Sequence, residues 1–521
     1  MPAPTIPVLS PAESAAWDKR AEGEGMALET LMEGAGRGAA IVLLDRFGHA
    51  ARKGVLIAAG PGHNGGDGWV LARALHALGL PVWVASAGES APLTSKVAVR
   101  ARAAGVREVA PDGPWPQVGI LVDALLGTGA AGAPKGAVGA LLDRLHDLPL
   151  PILALDGPTG VDLGTGLLHG APKATCSVTF GGLRRGHLLA RDEVGDVVVI
   201  DIGHPSPDPA WPTLVTDDQA AEWLPRLRAK AHKGERGRVV CVGGAPGMSG
   251  ALRLTARSAF AAGAGLLFTA SSAGTAELLA EAEPDVQARV WEGGAVSEEL
   301  RGVLEKADVL VIGPGLGRGT GVREGIKALV ASASPSASVV LDADGLIAFV
   351  GALPELESLL AGRRAVLTPH LGEFRSLFPD QAGAAEQDPW GAASGAAVAS
   401  GVVVLLKGVP TVVAAPAGGA PWSIAAGNPG LATGGSGDVL SGLVGAALAA
   451  GLDPVHAAAL GAQALGRAAD LAARRTSART IRPMDVVAAF PDLWRAWELR
   501  GAARPIPRAP VLVDLERPKA S

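Results

Sequence analysis

The sequence predicts an α/β protein with two domains. Short β-branched and aliphatic runs recur along the chain, and each is followed by a glycine-rich turn and an Ala- and Leu-rich segment with helical spacing. The alternation restarts after a proline-dense stretch, His204–Pro212, which suits neither a helix nor a strand interior. At 521 residues the chain is long enough for two hydrophobic cores. We therefore place the domain boundary at residue 212.

The predicted elements follow this alternation in order. The predicted strands of the first half are Val55–Ala59, Pro81–Ala85, Ile120–Val122, Ile152–Leu155, Cys176–Phe180 and Val197–Ile202. Between the first two strands, Asp67–Leu78 has the amphipathic pattern of a helix that begins at a glycine loop. The predicted strands of the second half are Val239–Val242, Leu266–Thr269, Val309–Ile312, Val339–Leu341, Ala365–Leu367, Val402–Leu406 and Thr411–Ala414. The predicted extents are 1–212 for the first domain, 213–503 for the second and 504–521 for a Pro-rich C-terminal tail.

Composition and charge exclude several classes of protein. The net charge is −5, from 46 basic and 51 acidic residues, so we expect no broad basic surface for nucleic acid or anionic lipid. The longest uncharged stretch, between Lys407 and Asp438, is broken by prolines and glycines and cannot form one membrane-spanning helix. Two cysteines, Cys176 and Cys241, are too few for a disulfide framework or a Cys-based zinc site. Because the N-terminus also lacks a secretory signal pattern, the sequence predicts a cytoplasmic protein.

The first half contains a glycine-rich segment, GPGHNGGDG, at Gly60–Gly68, directly after a predicted strand and before a predicted helix. Backbone N–H groups and a helix N-terminus at such a place can bind a phosphate. The segment lacks the GxGxxG spacing of a dinucleotide-binding fingerprint. A tight turn that needs glycine is the alternative interpretation. Five glycines with an Asn and an Asp between them favour a ligand site.

Two carboxylates follow predicted strands of the first half. Asp123 begins DALLGTGAAG and Asp156 begins DGPTG, so both lie at the carboxyl ends of strands, where open α/β sheets bind ligands. Either could instead be a helix cap or a turn residue. Asn64, Asp123 and Thr159 offer only hard oxygen ligands, which suit an alkali or alkaline-earth ion rather than zinc.

The second half repeats this placement of motifs at strand ends. The motifs that follow predicted strands are GPGLG (Gly313–Gly317), LDADGL (Leu341–Leu346) and TPHLGEF (Thr368–Phe374). The most informative motif, GGSGD at Gly434–Asp438, leads into a helix, so its amides form an anion hole with the Asp in the first turn. A purely structural cap is the alternative for that Asp. Lys407, at another strand end, either neutralises a phosphate or is a solvated charge.

Taken together, these motifs resemble a known enzyme family. The first half contains GPGHNGGDGWVLAR, VDALLGTG, LALDGPTGVDLGTG and SVTFGGLRRGH, and it resembles the epimerase domain of the NAD(P)H-hydrate repair system. The second half contains AHKGERGRVVCVGGAPGMSGA, IGPGLG, LDADGL, LTPHLGEF, LLKGVPTVV and NPGLATGGSGDVLSG, and it resembles the nucleotide-dependent NAD(P)H-hydrate dehydratase, a relative of the ribokinase-like kinases. The order is that of the fused bifunctional bacterial enzyme, over roughly residues 10–495. The resemblance implies a Rossmann-like α/β/α sandwich followed by a ribokinase-like α/β domain.

The resemblance also implies a substrate and two activities. The substrate is NADH or NADPH hydrated at C6 of the nicotinamide ring (NADHX and NADPHX), a damaged form that dehydrogenases cannot use. The first domain would interconvert the R and S epimers, and the second would convert the S epimer to the reduced cofactor. The implied co-substrate is ADP, which is hydrolysed to AMP, and the implied ions are K⁺ in the first domain and Mg²⁺ in the second. We expect a homo-oligomer that acts on small molecules, without nucleic acid or membrane.

Site residues are carried over from the family motif by motif. In the first domain, the phosphates and ribose of the hydrate are expected to bind His63, Asn64, Gly65, Gly66 and Asp67, and Gly127, Thr128, Gly129, Ala130, Ala131, Gly132 and Ala133. Asp156 would contact the nicotinamide end and act as acid or base in epimerisation. The potassium ligands would be Asn64, Asp123 and Thr159.

In the second domain the hydrate is expected to contact Ala251, Gly317, His370 and Asp438. The adenine nucleotide is expected to bind Lys407, Gly408, Val409, Pro410, Thr411 and Gly437. Asp438 would accept the proton of the C6 hydroxyl, and Mg²⁺ would neutralise the nucleotide phosphates.

The sequence departs from the family pattern at a few positions. His63 stands where Asn is common. Thr159 stands where Ser is common, and this substitution keeps the hydroxyl oxygen. Arg185 stands where the family has Lys, and an always-protonated Arg could not replace a lysine that donates a proton. Two rival functions remain open: a small-molecule kinase in the second domain, and a non-catalytic binding module in the first.

Overall fold

The computed structural model describes residues 4–502 and 510–517, and these divide into two compact units. Within the described residues, the first unit comprises 4–213 and 510–517, and the second comprises 214–502. The division thus follows Thr213, directly beyond the proline-dense stretch. Residues 1–3, 503–509 and 518–521 lie outside the described residues, so the predicted tail is described only at 510–517.

The first unit alternates strands and helices. Its elements are β1 (Ile6–Leu9), α1 (Pro11–Gly23), α2 (Leu28–Ala51), β2 (Val55–Ala59), α3 (His63–Ala77), β3 (Val82–Ser86), α4 (Pro92–Ala103), β4 (Arg107–Val109), β5 (Ile120–Ala124), α5 (Gly136–His146), β6 (Ile152–Leu155), β7 (Cys176–Phe180), β8 (Leu183–Arg184), α6 (Arg185–Leu189) and β9 (Asp196–Ile200).

The second unit continues the alternation and ends in helices. Its elements, beginning with a strand at the division, are β10 (Thr213–Leu214), α7 (Asp217–Trp223), β11 (Arg238–Val242), α8 (Ser249–Ala261), β12 (Leu266–Ser271), α9 (Ala273–Ala282), β13 (Gln287–Val290), α10 (Glu298–Leu304), β14 (Val309–Ile312), α11 (Val322–Ser332), β15 (Ser338–Leu341), α12 (Asp344–Ile347), α13 (Leu353–Leu360), β16 (Ala365–Leu367), α14 (Leu371–Leu377), α15 (Pro389–Ser400), β17 (Val403–Leu406), β18 (Thr411–Ala414), β19 (Trp422–Ile424), α16 (Ser436–Ala449), α17 (Pro454–Arg475), α18 (Pro483–Val487) and α19 (Phe490–Ala502). Two 3₁₀ helices lie at Pro379–Ala384 and Pro429–Leu431. The last strand, β20 (Val511–Leu515), belongs to the first unit.

The sheet of the first unit has the order β20-β9-β7-β6-β5-β2-β3-β4, and every pairing is parallel except that of β20 with β9. Alternate residues of β2 face two different cores: Val55, Ile57 and Ala59 pack into one, and Leu56 and Ala58 into the other. Helices therefore cover both faces of the sheet around β2, where the strands are parallel and buried. Strand order reverses between β5 and β2, which is where such sheets form a ligand crevice.

The second unit contains the strand order β13-β12-β11-β14-β15-β16-β17-β18-β19. The pairings are parallel from β13 to β17 and antiparallel from β17 to β19. Strand order reverses between β11 and β14, so the loops after these two strands leave the same edge of the sheet. Both units are thus α/β folds, and the predicted fold class is confirmed.

All the predicted strands are present, with ends that differ by no more than two residues. The predicted start of the first-half helix is wrong, because α3 begins at His63 rather than Asp67. Its glycines permit this early start: a Cβ at Gly65 would lie 1.9 Å from the Gly60 carbonyl oxygen, and one at Gly66 would lie 2.5 Å from Met32 Cε. These two glycines allow close packing and do not form an open loop.

The predicted C-terminal tail is also wrong in its described part. Strand β20 pairs with β9, and Asp514 forms an ion pair with Arg46, which lies 2.5 Å away. Leu515 is buried against the first unit, so apolar burial and an ion pair hold this segment in place. In the part of the chain that the structure describes, no helix is both long enough and apolar enough to cross a bilayer.

Candidate active sites of the two units

The first unit contains a cavity of about 410 Å³ at the carboxyl ends of β2, β5 and β6. Of the predicted site residues, the structure places around it His63, Asn64, Asp67, Gly127, Thr128, Gly129, Ala130 and Asp156. The predicted potassium ligands Asp123 and Thr159 do not line it, and the predicted substrate-binding residues that do not are Gly65, Gly66, Ala131, Gly132 and Ala133. Gly65 and Gly66 are buried in α3, and the last three are exposed on the loop after β5.

The first turn of α3 opens into this cavity. Gly62 occupies the N-cap position in an extended conformation and supplies no side-chain hydrogen bond, so the first N–H groups of the helix have no side-chain cap. Gly62, His63 and Asn64 all line the cavity. Unsatisfied N–H groups and the positive end of the helix dipole make this turn suitable for an anionic group such as a phosphate.

Asp156 follows β6 and has a positive φ of 61°, a conformation that is costly for a residue with a side chain. Its Oδ2 accepts a hydrogen bond from the Thr128 backbone N–H at 2.7 Å and another from the Thr128 hydroxyl. Its Oδ1 accepts one from the Thr179 hydroxyl at 3.2 Å and lies 3.3 Å from Arg184 Nη2. Burial alone would raise the pKa of Asp156, but Arg184 and Thr128 outweigh it and hold the pKa below its usual value. Asp156 is therefore a carboxylate at neutral pH.

Arg184 is the cation that the structure places beside Asp156. It donates to Thr128 Oγ1 at 2.8 Å through Nε and to the Gly182 carbonyl oxygen at 3.0 Å through Nη1. Arg185, which stands where the family has Lys, lies 3.4 Å from Glu13 and does not line the cavity. Arg184 was not predicted from the sequence, although it is adjacent to Arg185 in the same GGLRRGH motif.

His187 fixes the backbone of Asp156 rather than its carboxylate. Its Nδ1 accepts the Arg184 backbone N–H at 2.9 Å, so its Nε2–H donates to the Asp156 carbonyl oxygen at 2.5 Å. Burial lowers the pKa of His187 to about 4. The imidazole is therefore neutral near pH 7 and supports the positive φ of Asp156.

Two of the three predicted potassium ligands are hydrogen-bonded to each other. Asp123 accepts the Thr159 backbone N–H at Oδ2 and the Thr159 hydroxyl at Oδ1, both at 2.7 Å. The amide of Asn64 is buried and neither its oxygen nor its nitrogen has a partner in the described residues. It lies beside the same loop: a Cβ at Gly127 would be 3.4 Å from Asn64 Cβ, and Leu126 N–H donates to Thr159 Oγ1 at 3.0 Å. Within 4–502 and 510–517, no three His, Cys, Asp or Glu side chains group as a metal site.

In the second unit, charged side chains meet where β15 and β17 end. Lys407 Nζ lies 2.7 Å from Asp342 Oδ1 and 3.8 Å from Glu373 Oε2, and the Ser441 hydroxyl donates to Asp342 Oδ2 at 2.6 Å. Burial would lower the pKa of Lys407, but Asp342 and Glu373 outweigh it and raise the pKa. Lys407 is therefore a half-buried, ion-paired cation and not a solvated strand-end charge.

Asp438 lies in the first turn of α16, after the N-cap position held by Gly435, whose φ is 99°. It is therefore not the capping residue, and the cap position offers no side-chain hydrogen bond to the first turn. Burial, followed by the charge of Asp342, raises the pKa of Asp438 to about 7, against a lowering effect of Lys407. A carboxyl with this pKa can accept a proton near neutral pH.

Gly437 keeps open the space between α16 and Lys407. A Cβ at Gly437 would lie 3.3 Å from Lys407 Nζ and 3.6 Å from Asp342 Oδ2, so any side chain there would crowd the buried ion pair. The predicted nucleotide loop follows Lys407, and in it the Thr411 hydroxyl donates to the Gly408 carbonyl oxygen at 3.1 Å. Val409 is exposed and Pro410 is buried.

The remaining predicted residues of the second unit lie at this same sheet edge. His370 forms an isolated parallel bridge with Lys407 and caps α14, where its Nδ1 accepts the Gly372 N–H at 3.0 Å. Gly317 donates its N–H to Asp344 Oδ2 at 2.9 Å. Ala251, in α8, faces the GPGLG loop, since a Cβ at Gly315 would lie 3.1 Å from its Cβ. Four residues of this site were not predicted from the sequence, although LDADGL and TPHLGEF contain the first three: Asp342, Asp344, Glu373 and Ser441.

Each unit therefore places a buried or half-buried carboxyl group and an uncapped helix N-terminus at the carboxyl edge of an α/β sheet. This arrangement defines a class: a two-site α/β enzyme for ligands that carry phosphate.

Comparisons with known proteins name the family within this class. A family model described as NAD(P)H-hydrate dehydratase matches residues 239–492, and one described as YjeF-related protein N-terminus matches residues 28–186. The chain is 36% identical over 474 residues to the bifunctional NAD(P)H-hydrate repair enzyme Nnr of Escherichia coli (strain K12), a match that covers 89% of this chain and 88% of the relative. It is 33% identical over 485 residues to the Coxiella burnetii enzyme of the same name, and this match covers 90% of this chain and 95% of the relative. The chain belongs to the family of bifunctional NAD(P)H-hydrate repair enzymes.

A solved structure is similar to part of the chain. It is the ADP/ATP-dependent NAD(P)H-hydrate dehydratase from Bacillus subtilis, co-crystallised with ATP and Mg²⁺. The match has 27% identity and a TM-score of 0.48, and it covers 54% of this chain and 98% of that one.

Proposed function

We propose that the first unit interconverts the R and S epimers of NADHX and NADPHX, and that the second unit dehydrates the S epimer to NADH or NADPH with ADP as co-substrate. One observation carries the proposal: the two family models match separate units, and each matched segment contains one of the two sites. We propose the functional extents 1–212 for the epimerase and 213–503 for the dehydratase.

In the first unit, Asp156 is the acid–base group at the nicotinamide end. Thr128 and Arg184 hold its carboxylate in the cavity in the deprotonated state. The open first turn of α3 and the loop that begins at Gly127 would bind the phosphates and ribose. The predicted residues Gly65, Gly66 and Ala131–Ala133 would contribute through backbone atoms next to that turn and loop.

Asn64, Asp123 and Thr159 would hold the potassium ion. Their amide, carboxylate and hydroxyl oxygens are hard donors, and the unpartnered buried amide of Asn64 fits a ligand that the chain itself does not supply. When bound, K⁺ supplies positive charge beside the loop after β5. Asp123 and Thr159, hydrogen-bonded to each other, would keep that loop in place.

In the second unit, Asp438 accepts the proton of the C6 hydroxyl as the hydroxyl oxygen attacks the terminal phosphoryl group of ADP. The bond between that phosphorus and the bridging oxygen breaks, and AMP leaves. Phosphate then leaves C6 with the bonding electron pair, assisted by the ring nitrogen, and loss of a ring proton restores the dihydronicotinamide. The first-turn amides of α16 and Lys407 stabilise the charge on the transferred group.

The carboxyl groups of this site also fit Mg²⁺. Asp342 and Asp344 both raise the pKa of Asp438, so three carboxyl groups act on one another electrostatically and a divalent cation would reduce their repulsion. Asp342 and Asp344 are the residues that would hold it, together with nucleotide phosphates, which leaves Asp438 free to accept a proton. When bound, it neutralises phosphate charge.

The test of the second activity is the fate of the phosphoryl group. Phosphorus NMR with the hydrate and ADP should show AMP and inorganic phosphate in equal amounts. A stable phosphorylated product would instead support the small-molecule kinase, with the first unit as a non-catalytic binding module. For the first activity, Asp156→Ala should abolish epimerisation, and a wild-type rate in that variant would remove the assignment.

We also propose that the protein acts in the cytoplasm, as a homo-oligomer, on small molecules rather than on nucleic acid or membranes. The two cysteines, Cys176 and Cys241, are buried and free, as suits a reducing compartment. Light scattering after size exclusion tests the oligomeric state, and cell fractionation tests the location.

A further inference from the structure

Two carboxyl groups line the cavity of the first unit in opposite environments. Asp156 receives hydrogen bonds from Thr128 and Thr179 and an ion pair from Arg184. Asp67 is only 9% exposed, yet throughout 4–502 and 510–517 no residue donates a hydrogen bond to its carboxyl group or forms an ion pair with it. One carboxyl is thus surrounded by donors, and the other faces the same cavity without any.

This contrast fixes the proton state of each group. An ionised carboxylate that is buried without donors is costly, whereas a neutral carboxylic acid is not. Burial, followed by the charges of Asp156 and Asp18, raises the pKa of Asp67 well above its usual value. Asp67 therefore carries a proton under the same conditions in which Asp156 carries none.

We propose that Asp67 is a second catalytic group of the first unit, the acid that gives a proton to the substrate while Asp156 accepts one. The inference rests on the proposed epimerase function, and it gives a chemical role to a residue that the sequence analysis assigned only to phosphate and ribose binding. Two carboxyl groups in one cavity with opposite proton states form the pair that general acid–base catalysis requires.

The chemistry of the hydrate uses both groups. C6 carries a hydroxyl and is bonded to the ring nitrogen N1, so removal of the hydroxyl proton by Asp156 forms a C=O bond at C6. The C6–N1 bond breaks, its electron pair goes to N1, and Asp67 protonates N1. Rotation turns the other face of the new carbonyl toward N1. On ring closure, N1 bonds to C6 again and returns its proton to Asp67, and Asp156 returns the other proton to the C6 oxygen. The result is inversion at C6 with no net change in protons or electrons.

Other charged or titratable groups at the cavity suit this role less well. Arg184 is always protonated and is held by Asp156. His187 does not line the cavity and uses both ring nitrogens in hydrogen bonds within the chain. His204 lies 2.8 Å from Asp18 through Nε2. His63, at the exposed start of α3, is the rival donor that an experiment must separate from Asp67.

The test is the full-length variant Asp67→Asn, which keeps the shape of the side chain but cannot donate a carboxyl proton. We expect the epimerase kcat to fall about 10²- to 10⁴-fold with a small change in KM. The dehydratase rate on the purified S epimer should stay at its wild-type value, and unchanged hydrogen exchange of the amides in β2, β5 and β6 would report that the first unit is folded. Asp45→Asn, on the exposed side of α2, is the matched control and should leave both rates unchanged. His63→Gln should alter KM more than kcat.

A second readout does not depend on activity. The infrared difference spectrum of wild type minus Asp67→Asn at pH 7 should show the carbonyl stretch of a neutral carboxylic acid. Wild-type epimerisation in Asp67→Asn, or a difference spectrum with only a carboxylate band, would overturn the role of Asp67. Failure of the wild-type protein to epimerise would instead overturn the proposed function, so the two failures are distinguishable.

Discussion

Replacing Arg184 by Met should destabilise the first unit strongly, in a manner that depends on pH. Arg184 and Asp156 are 6% and 8% exposed, and the Nη2 to Oδ1 distance is 3.3 Å. At an effective dielectric constant of about 20, two unit charges at that distance attract by about 5 kcal/mol. Removing one partner of a buried pair costs about 3–5 kcal/mol, because the other charge is left uncompensated.

The pH dependence has a definite sign. Because the pKa of Asp156 is lowered in the folded wild-type protein, the stabilisation is complete above the unfolded-state pKa and is lost as pH falls through the folded-state pKa. In Arg184→Met, burial acts without the cation and raises the pKa of Asp156. The variant should therefore lose stability as pH rises through the raised pKa. The difference from wild type should be large at pH 7 and should shrink in mildly acidic buffer.

Hydrogen exchange of the full chain measures the loss of stability separately in each unit. The opening free energies of amides in β6 and β7 report on the first unit, and those in β14 and β15 serve as an internal reference. The matched control is Arg185→Met, because Arg185 pairs with Glu13 at 3.4 Å outside the cavity lining, and both side chains are more exposed than those of Arg184 and Asp156, so the loss should be smaller. Equal losses in the two variants, or no pH dependence in Arg184→Met, would refute the reasoning.

Three further predictions concern the other parts of the molecule. Because the pKa of Asp438 is raised to about 7, the dehydratase kcat/KM should rise roughly tenfold per pH unit below that value and level off above it. A flat profile from about pH 6 to 9 would contradict the role of Asp438 as base. Lys407→Ala should weaken ADP binding at least about tenfold, as measured by calorimetry, because it removes the cation beside the first turn of α16. Unchanged affinity would show that the nucleotide binds elsewhere. A chain that ends at residue 509 lacks β20 and the ion pair of Arg46 with Asp514. In hydrogen exchange, the opening free energies of the β9 amides should therefore fall by about 2–4 kcal/mol. Unchanged exchange would show that β20 is dispensable.

The α/β fold and the strand ends were predictable because buried parallel strands are continuous apolar runs, as in β2 and β14. Most of the missed strands are short or exposed: β4 has only three residues, and β13 has no fully buried position. Strand β1 is buried but contains Pro7, which weakens the strand pattern. The tail strand β20 was missed because its pairing with β9 joins segments that are distant in the chain. Long-range pairing of this kind leaves no local pattern.

The candidate site residues were predictable where a motif marks a strand end, as for Asp156 and Asp438. Arg184 could not be distinguished from Arg185 by sequence, because the two are adjacent. Only the direction of the backbone at the end of β8 decides which of them reaches Asp156. The glycines of α3 were assigned to a phosphate loop because sequence shows that a position needs glycine, but not whether the need is a ligand or a neighbouring helix.

The central claim is that one chain carries both repair activities, and absorbance at 340 nm tests it most directly. The purified protein is mixed with NADH hydrate that contains both epimers, with ADP, Mg²⁺ and K⁺. Full recovery of the NADH chromophore is the predicted result, because the dehydratase consumes the S form and the epimerase replenishes it. Recovery that stops when the S form is exhausted would contradict the epimerase, and no recovery with ADP or ATP would contradict the whole account.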